Sequence, residues 1–314
     1  MSSACTGLFL PLHGGGLAIF AVFVVKCLQK LRKEGLATEQ QSYEQRGYLH
    51  ENFRLFHLTD AMEERLDWHY HTFHKLIIFL SGRCSYGVEG RSYSLTPGDL
   101  VLVPQGCIHR PEAEPGAPYE RVILYISPQY LQSRSTPDCD LERCFQLARQ
   151  RFSFVVRSAR SRRELVSMAQ AMEQAAGPGF GRELMQESCF LQFLIRVTRG
   201  MEESALDYAE PAACDGKTAA ILQYLSENLT QEISIDDLSA RFYVSKYHMM
   251  RVFRAQTGYT IHAYLTGKRL LLARELIASG TPVMDACLRS GFRDYSAFCR
   301  AYRKEFSAPP GSAK

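Results

Sequence analysis

The sequence predicts an α+β multidomain protein. It would have an N-terminal β jelly-roll barrel, a helical middle segment and an all-α C-terminal domain made of two similar units. Short apolar runs separated by turn residues indicate the β half. One helical pattern, written twice between residues 233 and 304, indicates the α domain. We expect four segments: an apolar N-terminal extension (1–45), a β domain (46–135), a helical segment (136–213) and an α domain (214–314).

The N-terminal extension contains one long apolar stretch. Residues 8–25 are nearly all apolar or glycine, and they are followed by the basic residues Lys26, Lys30, Arg32 and Lys33. The stretch is just long enough to span a bilayer. It has no basic region before it and no clear cleavage site after it, which argues against a secretory signal. Three interpretations stay open: a weakly ordered tail or sequence upstream of the functional start, a membrane anchor, and an additional docked helix.

The β half is recognised by five short runs. Residues 75–80, 100–103 and 121–126 are apolar runs, the first and third of which begin with Lys75 and Arg121, whereas 84–88 and 91–95 alternate between apolar and polar side chains. Turn sequences rich in glycine and proline separate these runs. Many short strands joined by such turns are typical of a jelly roll or barrel.

The middle segment has apolar residues at helical spacing. Three stripes follow Pro137, formed by Leu141, Cys144, Phe145 and Leu147, then Leu165, Met168, Ala169, Met172 and Ala176, and then Leu184, Cys189, Phe190, Phe193, Leu194 and Val197. Such stripes pack into a core or form a dimer face, and both interpretations stay open. Residues 201–216 are acidic, alanine-rich and aperiodic, which indicates a linker.

The doubled pattern in the α domain has the features of a helix-turn-helix. Its copies run from Ile233 to Arg254 and from Pro282 to Lys304. Each copy contains a short amphipathic helix, a tight break, a polar N-cap candidate and a second helix with basic residues. In a helix-turn-helix the second helix lies in the major groove of DNA. Two copies in register argue against ordinary helices with solvated charged faces.

The second helix of each copy presents a polar and basic face. These faces carry Lys246, Tyr247, Met250, Arg251 and Arg254 in the first copy, and Tyr295, Ser296, Cys299, Arg300, Arg303 and Lys304 in the second. A long helix predicted over 261–279 separates the copies and would be about 28 Å long. That length approaches the roughly 34 Å between successive major-groove faces of DNA. The spacing therefore suits two reading helices on one side of a duplex.

Charge and cysteine usage agree with this interpretation. Residues 215–314 carry 14 lysines and arginines against 9 acidic residues, whereas the rest of the chain carries 23 against 24. The excess positive charge therefore lies on the doubled motif, as a polyanionic partner requires. The ten cysteines form no Cys-x-x-Cys motif, which indicates reduced thiols in a cytoplasmic protein, with a single redox-sensing pair as the less favoured alternative.

Residues 217–306 resemble the DNA-binding domain of the AraC/XylS family of bacterial transcription regulators. The resemblance is carried by Val244-Ser245, by 251–254, by Thr257-Gly258 and by 291–300. The sequence departs from the family at Met249, at Ser307 and in the tail 310–314. The resemblance implies base-edge contacts by Tyr247, Met250 and Arg251 in the first copy and by Tyr295, Ser296 and Arg300 in the second. It also suits phosphate contacts by Arg254, Lys268, Arg303 and Lys304.

A second set of motifs resembles the cupin-type ligand-binding domain of the same family. These motifs are 69–71, 73–75 and 108–111, within a match over about residues 53–126. His-x-His on a strand points both rings to one face, and His109 on a neighbouring strand could join them. The family's usual acid is replaced by Lys75, a cation that would oppose a bound metal ion. Three interpretations stay open: a small-molecule pocket using His69, His71, Lys75 and His109, a metal site, and structural histidines in a barrel without a ligand.

The sequence thus predicts a sequence-specific transcription regulator and no enzyme, with no cofactor, catalytic residue or metal ligand. A small-molecule effector in the barrel would control a homodimer on promoter DNA, through DNA occupancy or through contact with RNA polymerase. The alternative is a metal-dependent cupin enzyme fused to a DNA-binding domain. A membrane-tethered regulator is a third interpretation, because of residues 8–25.

Overall fold

The computed structural model describes residues 49–61, 66–157, 162–212 and 216–312. The apolar stretch 8–25 and the whole predicted extension 1–45 lie outside the described residues. Within the described ranges, none of the helices combines the length and apolar character needed to cross a membrane.

The β half consists of two antiparallel sheets. The strands in chain order are β1 (Phe53–Ala61), β2 (His74–Ser81), β3 (Cys84–Val88), β4 (Arg91–Ser94), β5 (Leu100–Val103), β6 (His109–Ala113), β7 (Pro118–Ile126), β8 (Val155–Arg157) and β9 (Asp207–Tyr208). One sheet has the strand order β1-β7-β2-β5-β8-β9 and the other has the order β4-β3-β6. The five predicted strands are confirmed. The predicted barrel is an arrangement of two sheets, and an isolated bridge pairs His69, which precedes β2, with His109 of β6.

The burial of the strands explains their sequence patterns. Strand β2 lies between β7 and β5 and is buried along residues 74–79, so both of its faces need apolar side chains. Strand β5 is buried at every position. Strand β1 lies at the edge of the sheet and is only partly buried, which is why its apolar pattern is weaker.

Ten helices are formed within the described residues. They are α1 (Pro128–Arg134), α2 (Arg143–Gln150), α3 (Arg162–Ala175), α4 (Arg182–Glu202), α5 (Gly216–Glu227), α6 (Ile235–Phe242), α7 (Lys246–Thr257), α8 (Ile261–Ala278), α9 (Val283–Arg289) and α10 (Tyr295–Phe306). The pairs α6–α7 and α9–α10 are the two helix-turn-helix units, and α8 is the long helix between them. We call α7 and α10 the reading helices.

Local caps define where the unit helices begin. The side chains of Ser234 and Asp294 accept hydrogen bonds from the backbone N–H groups of Asp237 and Ala297. Ser245 occupies the predicted N-cap position of α7 but makes no side-chain cap bond. Gly258 ends α7 in the left-handed conformation with φ 78°.

The two units differ in how they are packed. One hydrophobic core contains both sheets, the helices α2 to α4 and the first unit, where Leu238, Met249 and Phe253 are buried. The second unit has its own small core formed by Leu270, Ala273, Cys287, Phe298 and Tyr302. The first unit is therefore continuous with the β half in its packing, whereas the second unit is attached through α8.

Candidate DNA-reading surface and sensor site

The reading helices present their polar faces to solvent. The exposed residues on these faces are Lys246, Tyr247, Met250, Arg251 and Arg254 on α7, and Tyr295, Ser296, Arg300, Arg303 and Lys304 on α10. Their opposite faces are buried through Met249 and Phe253 in α7 and through Phe298 and Tyr302 in α10. Helical periodicity therefore brings the predicted residues of each unit to one accessible surface.

Large apolar side chains are exposed within the same faces. Tyr247 is 75% exposed and Met250 is 45% exposed, although large apolar side chains are usually buried. Lys246 forms an ion pair with Asp236 of the preceding helix. Exposed aromatic and apolar groups beside arginines form a surface suited to base edges, because thymine offers a methyl group and guanine offers two acceptors.

Lys268 lies on α8 and does not belong to either reading face. Its Nζ donates to Glu89 Oε1 at 2.5 Å and to the Gly106 carbonyl at 2.9 Å, and its side chain is only 13% exposed. The predicted phosphate contact by Lys268 is therefore not available in this conformation. The sequence did not indicate this, because the partner carboxylate lies 179 positions earlier in the chain.

Glu89 belongs to an interface between the β half and the α domain. Its carboxylate is buried and accepts from Lys268, from the Tyr264 hydroxyl and from the Ile108 N–H at 3.0 Å. Further hydrogen bonds cross the same interface, among them those from Tyr259 to Trp68 and from Tyr70 to Glu305. We call the set Trp68, Tyr70, Glu89, Tyr259, Tyr264, Lys268 and Glu305 the clasp. Sequence reasoning missed its β-half members, since a glutamate at a hairpin turn normally indicates an exposed position.

The predicted sensor histidines come together inside the β half. His69, His71 and His109 are all buried, and their ligand nitrogens lie within 4.8 Å of one another. His69 Nδ1 donates to the Asp67 carbonyl at 2.8 Å, and His109 Nδ1 donates to the Cys107 carbonyl at 3.0 Å. A carbonyl oxygen can only accept, so these bonds place the proton on Nδ1 when the rings are neutral. In that tautomer the Nε2 atom of each ring carries the lone pair, so it can accept a hydrogen bond and cannot donate one.

Lys75 joins the histidines and is buried with them. Burial, followed by the charge of the nearby Arg121 guanidinium, lowers the pKa of the Lys75 ammonium to about 7. Its Nζ lies 5.9 Å from the centre of the Tyr125 ring, which also packs against His71. Burial, followed by the charge of Lys75, holds the pKa of His109 well below its usual range. The cluster therefore combines an amine of lowered pKa with the neutral imidazole of His109.

The residue types of this site determine what it can bind. Three clustered imidazoles, two of them with Nδ1 bonded to a backbone carbonyl, resemble a metal donor set. No carboxylate joins the cluster within the part of the chain that the structure describes, and a buried ammonium would repel a divalent ion. The site therefore fits an anionic or hydroxyl-bearing group better than it fits a metal ion.

Known proteins share both halves of this chain. Residues 54–194 match the family model of the AraC-like ligand binding domain, and residues 238–314 match that of a helix-turn-helix domain. The HTH-type transcriptional regulator YbfI of Bacillus subtilis is 23% identical over 73% of this chain and 79% of its own length. The HTH-type transcriptional activator RhaS of Yersinia pestis is 32% identical over 40% of this chain and 45% of its own length.

A solved structure also resembles this chain. ToxT of Vibrio cholerae is 11% identical, with a TM-score of 0.33 over 83% of this chain and 97% of that chain. The two family models together cover about two thirds of the sequence and place a ligand-binding domain before a helix-turn-helix domain. The chain belongs to the AraC family of DNA-binding transcription regulators.

Proposed function

We propose that this regulator binds promoter DNA through both reading helices and that a small molecule in the histidine site controls that binding. The observation that carries the proposal is the exposure of both reading faces, each backed by a buried apolar face. The proposal builds on the two domains that the chain shares with its family, an N-terminal ligand-binding domain and a helix-turn-helix domain. The proposal adds the residues, the ligand class and the assembly, and it includes a cytoplasmic location.

Arg251 and Arg300 are the proposed base-reading residues of the two units. Both are exposed on their reading faces, and an arginine fork matches the two acceptors of guanine. Tyr247, Met250, Tyr295 and Ser296 flank them as further base-edge contacts, and Lys246, Arg254, Arg303 and Lys304 would contact phosphates. Phosphate contacts would set affinity, whereas base contacts would set sequence preference.

The proposed effector is anionic or rich in hydroxyl groups. Lys75 would supply a cation below its pKa of about 7, and the Nε2 atoms of His69 and His109 would accept hydrogen bonds from hydroxyl groups. A metal ion is the second candidate occupant, because the three imidazoles lie close together. We favour the organic ligand, since bringing a dication beside the protonated Lys75 ammonium is electrostatically unfavourable.

The proposed assembly is a homodimer formed through α3 and α4. Three apolar side chains at the start of α4 and in the loop before it are exposed: Phe180, Leu184 and Met185. An exposed apolar cluster of this kind is typical of an interaction surface, and two-fold dimers are the commonest assemblies. Contact of the DNA-bound dimer with RNA polymerase would complete the regulatory function.

Removing the base-reading arginines tests the function. A duplex is first selected from a random pool with the wild-type protein, and its Kd is then measured by fluorescence anisotropy. Arg251→Ala and Arg300→Ala should each weaken binding about 5–150-fold, since a bidentate contact contributes roughly 1–3 kcal/mol. Each variant should also lose the sequence preference in one of two blocks about one helical turn apart.

The matched control is Arg83→Ala, which removes an exposed arginine from the turn between β2 and β3 and should leave the Kd unchanged. A wild-type protein that binds every duplex equally, with strong salt dependence, would overturn the proposed function. So would an Arg251→Ala/Arg300→Ala double variant that selects the same sequences as the wild type.

Replacing Lys75 tests the environment of the sensor site. Its ammonium has a pKa near 10.5 in the unfolded chain and about 7 in the fold. The folded state is therefore destabilised fully below pH 7 and progressively less as the pH rises towards 10.5. Lys75→Met should stabilise the protein by a few kcal/mol at about pH 6.5, on the order of one per pKa unit, and by much less at about pH 10.

Thermal unfolding at the two pH values measures this gain, and Lys217→Met, at an exposed position, is the control. A Lys75→Met variant that is less stable at both pH values would show that the ammonium is well solvated or paired. Stoichiometric zinc, iron or manganese in the purified protein would support the metal candidate instead.

A charge on the apolar cluster tests the assembly. The wild-type protein should sediment as a dimer, and Leu184→Glu should shift it towards the monomer, because a carboxylate would be buried in the contact. Leu288→Glu makes the same substitution at an exposed position of α9, outside the proposed interface, and should leave the dimer intact. A wild-type protein that stays monomeric would contradict the proposed assembly.

A further inference from the structure

The segment Trp68–His71 has two functional faces. Its backbone pairs with β6 through His69 and His109, whose N–H groups each donate to the other's carbonyl at 3.2 and 2.9 Å. Side chains of an extended segment alternate between opposite faces. His69 and His71 accordingly belong to the sensor cluster, and Trp68 and Tyr70 make contacts with the α domain.

Trp68 contacts the end of the first reading helix. Its carbonyl accepts a hydrogen bond from the Tyr259 hydroxyl at 2.7 Å, although the two residues are 191 positions apart. Its ring packs on Gly258, where an added Cβ would lie 3.2 Å from the indole Cδ1. Gly258 is the left-handed C-cap of α7. A displacement of Trp68 would therefore act directly on the residue that ends this helix.

Tyr70 contacts the second reading helix. Its hydroxyl donates to Glu305 Oε1 at 2.5 Å, and Glu305 lies on α10. The Tyr70 side chain is fully buried, and burial followed by the nearby Glu305 charge holds its pKa well above the usual range. The hydroxyl therefore remains protonated and keeps donating. Two residues of one short segment thus reach both reading helices.

Strand β6 and the residue before it also link the sensor cluster to contacts with the α domain. His109 belongs to the sensor cluster, and the N–H of the adjacent Ile108 donates to the Glu89 carboxylate, which also holds Lys268 of α8. The Glu89 N–H in turn donates to the Ile108 carbonyl at 2.9 Å. The segment Trp68–His71 is therefore bonded to the α domain directly, and the segment that carries His109 is linked to it through Glu89.

We propose that the segment Trp68–His71 transmits occupancy of the sensor site to both reading helices. The inference rests on the proposed function, because it assigns a route by which that site controls DNA binding. A ligand that turns His69 or His71 shifts the strand, and Trp68 and Tyr70 shift with it because the surroundings are close-packed. By linkage, DNA binding then changes the affinity of the sensor site for its ligand by the same factor.

The full-length chain offers a direct optical probe, because Trp68 is its only tryptophan. Addition of the duplex selected by the wild-type protein should shift the Trp68 emission spectrum. A duplex of scrambled sequence at the same concentration is the control and should give a smaller shift. An emission spectrum that both duplexes leave unchanged would overturn the proposal.

A double-mutant cycle on DNA affinity tests the transmission itself. His71→Ala perturbs the side of the segment Trp68–His71 that faces the sensor cluster. Tyr259→Phe removes the α-domain hydroxyl that donates to the Trp68 carbonyl. The two changes should be non-additive in Kd by roughly threefold or more, because they act on one segment. His71→Ala combined with Tyr130→Phe should be additive, since the Tyr130 hydroxyl donates to Glu187 outside the clasp.

The outcomes separate the inference from the function on which it rests. Sequence-specific binding by the wild type with an additive His71/Tyr259 cycle overturns the transmission and leaves the proposed function standing. Binding without sequence preference overturns the proposed function instead. If His71→Ala fails to fold, His69→Gln replaces it in the same cycle, and the Trp68 emission of the wild type tests the transmission without any variant.

Discussion

The buried carboxylate of Glu89 is the contact on which the arrangement of the two halves depends. It belongs to the β half, yet two of its donors, Tyr264 and Lys268, belong to the α domain. A buried charge without its partners is strongly unfavourable, so Glu89 and Lys268 are satisfied only while the halves stay together. The first unit completes this junction with apolar packing, because its core is continuous with that of the β half. The second unit relies on α8 and on the Tyr70–Glu305 bond.

Because they are packed differently, the two helix-turn-helix units differ in how easily each can move relative to the β half. The first unit cannot shift without disturbing the shared core, whereas the second has its own core and needs to break fewer contacts to move. This difference in packing matters for a regulator with two reading helices, because the helices need not move by the same amount. The reading helix of the first unit would move together with the shared core, and that of the second could also change its angle or spacing along the duplex. Small changes at the sensor site would then alter how both helices fit successive major grooves.

The sequence predicted the parts of this protein that have local or periodic patterns. Helical periodicity placed Arg251 and Arg300 on exposed faces, and the His-x-His alternation placed His69 and His71 together, with His109 added by resemblance. Strands β8 and β9 are too short for any pattern to be recognised. Lys268 was misplaced for a different reason. A lysine on a helix is normally solvated, and only the fold brings a carboxylate from 179 positions away into contact with it. The contacts of Trp68 and Tyr70 with the α domain could not be predicted for the same reason, because their partners are also distant in the sequence.

Calorimetric unfolding of a Glu89→Gln variant tests this account most directly. The wild-type protein should unfold in one cooperative transition, because the halves share a core and the buried ion pair. Glu89→Gln leaves Lys268 buried without its charge partner, so the transition should split in two or the stability should fall by about 3–5 kcal/mol. Glu187→Gln is the matched control, since Glu187 accepts from Tyr130 and pairs with Arg134 within the N-terminal half; it should not split the transition. A Glu89→Gln variant that unfolds in one transition at the wild-type temperature would contradict the account.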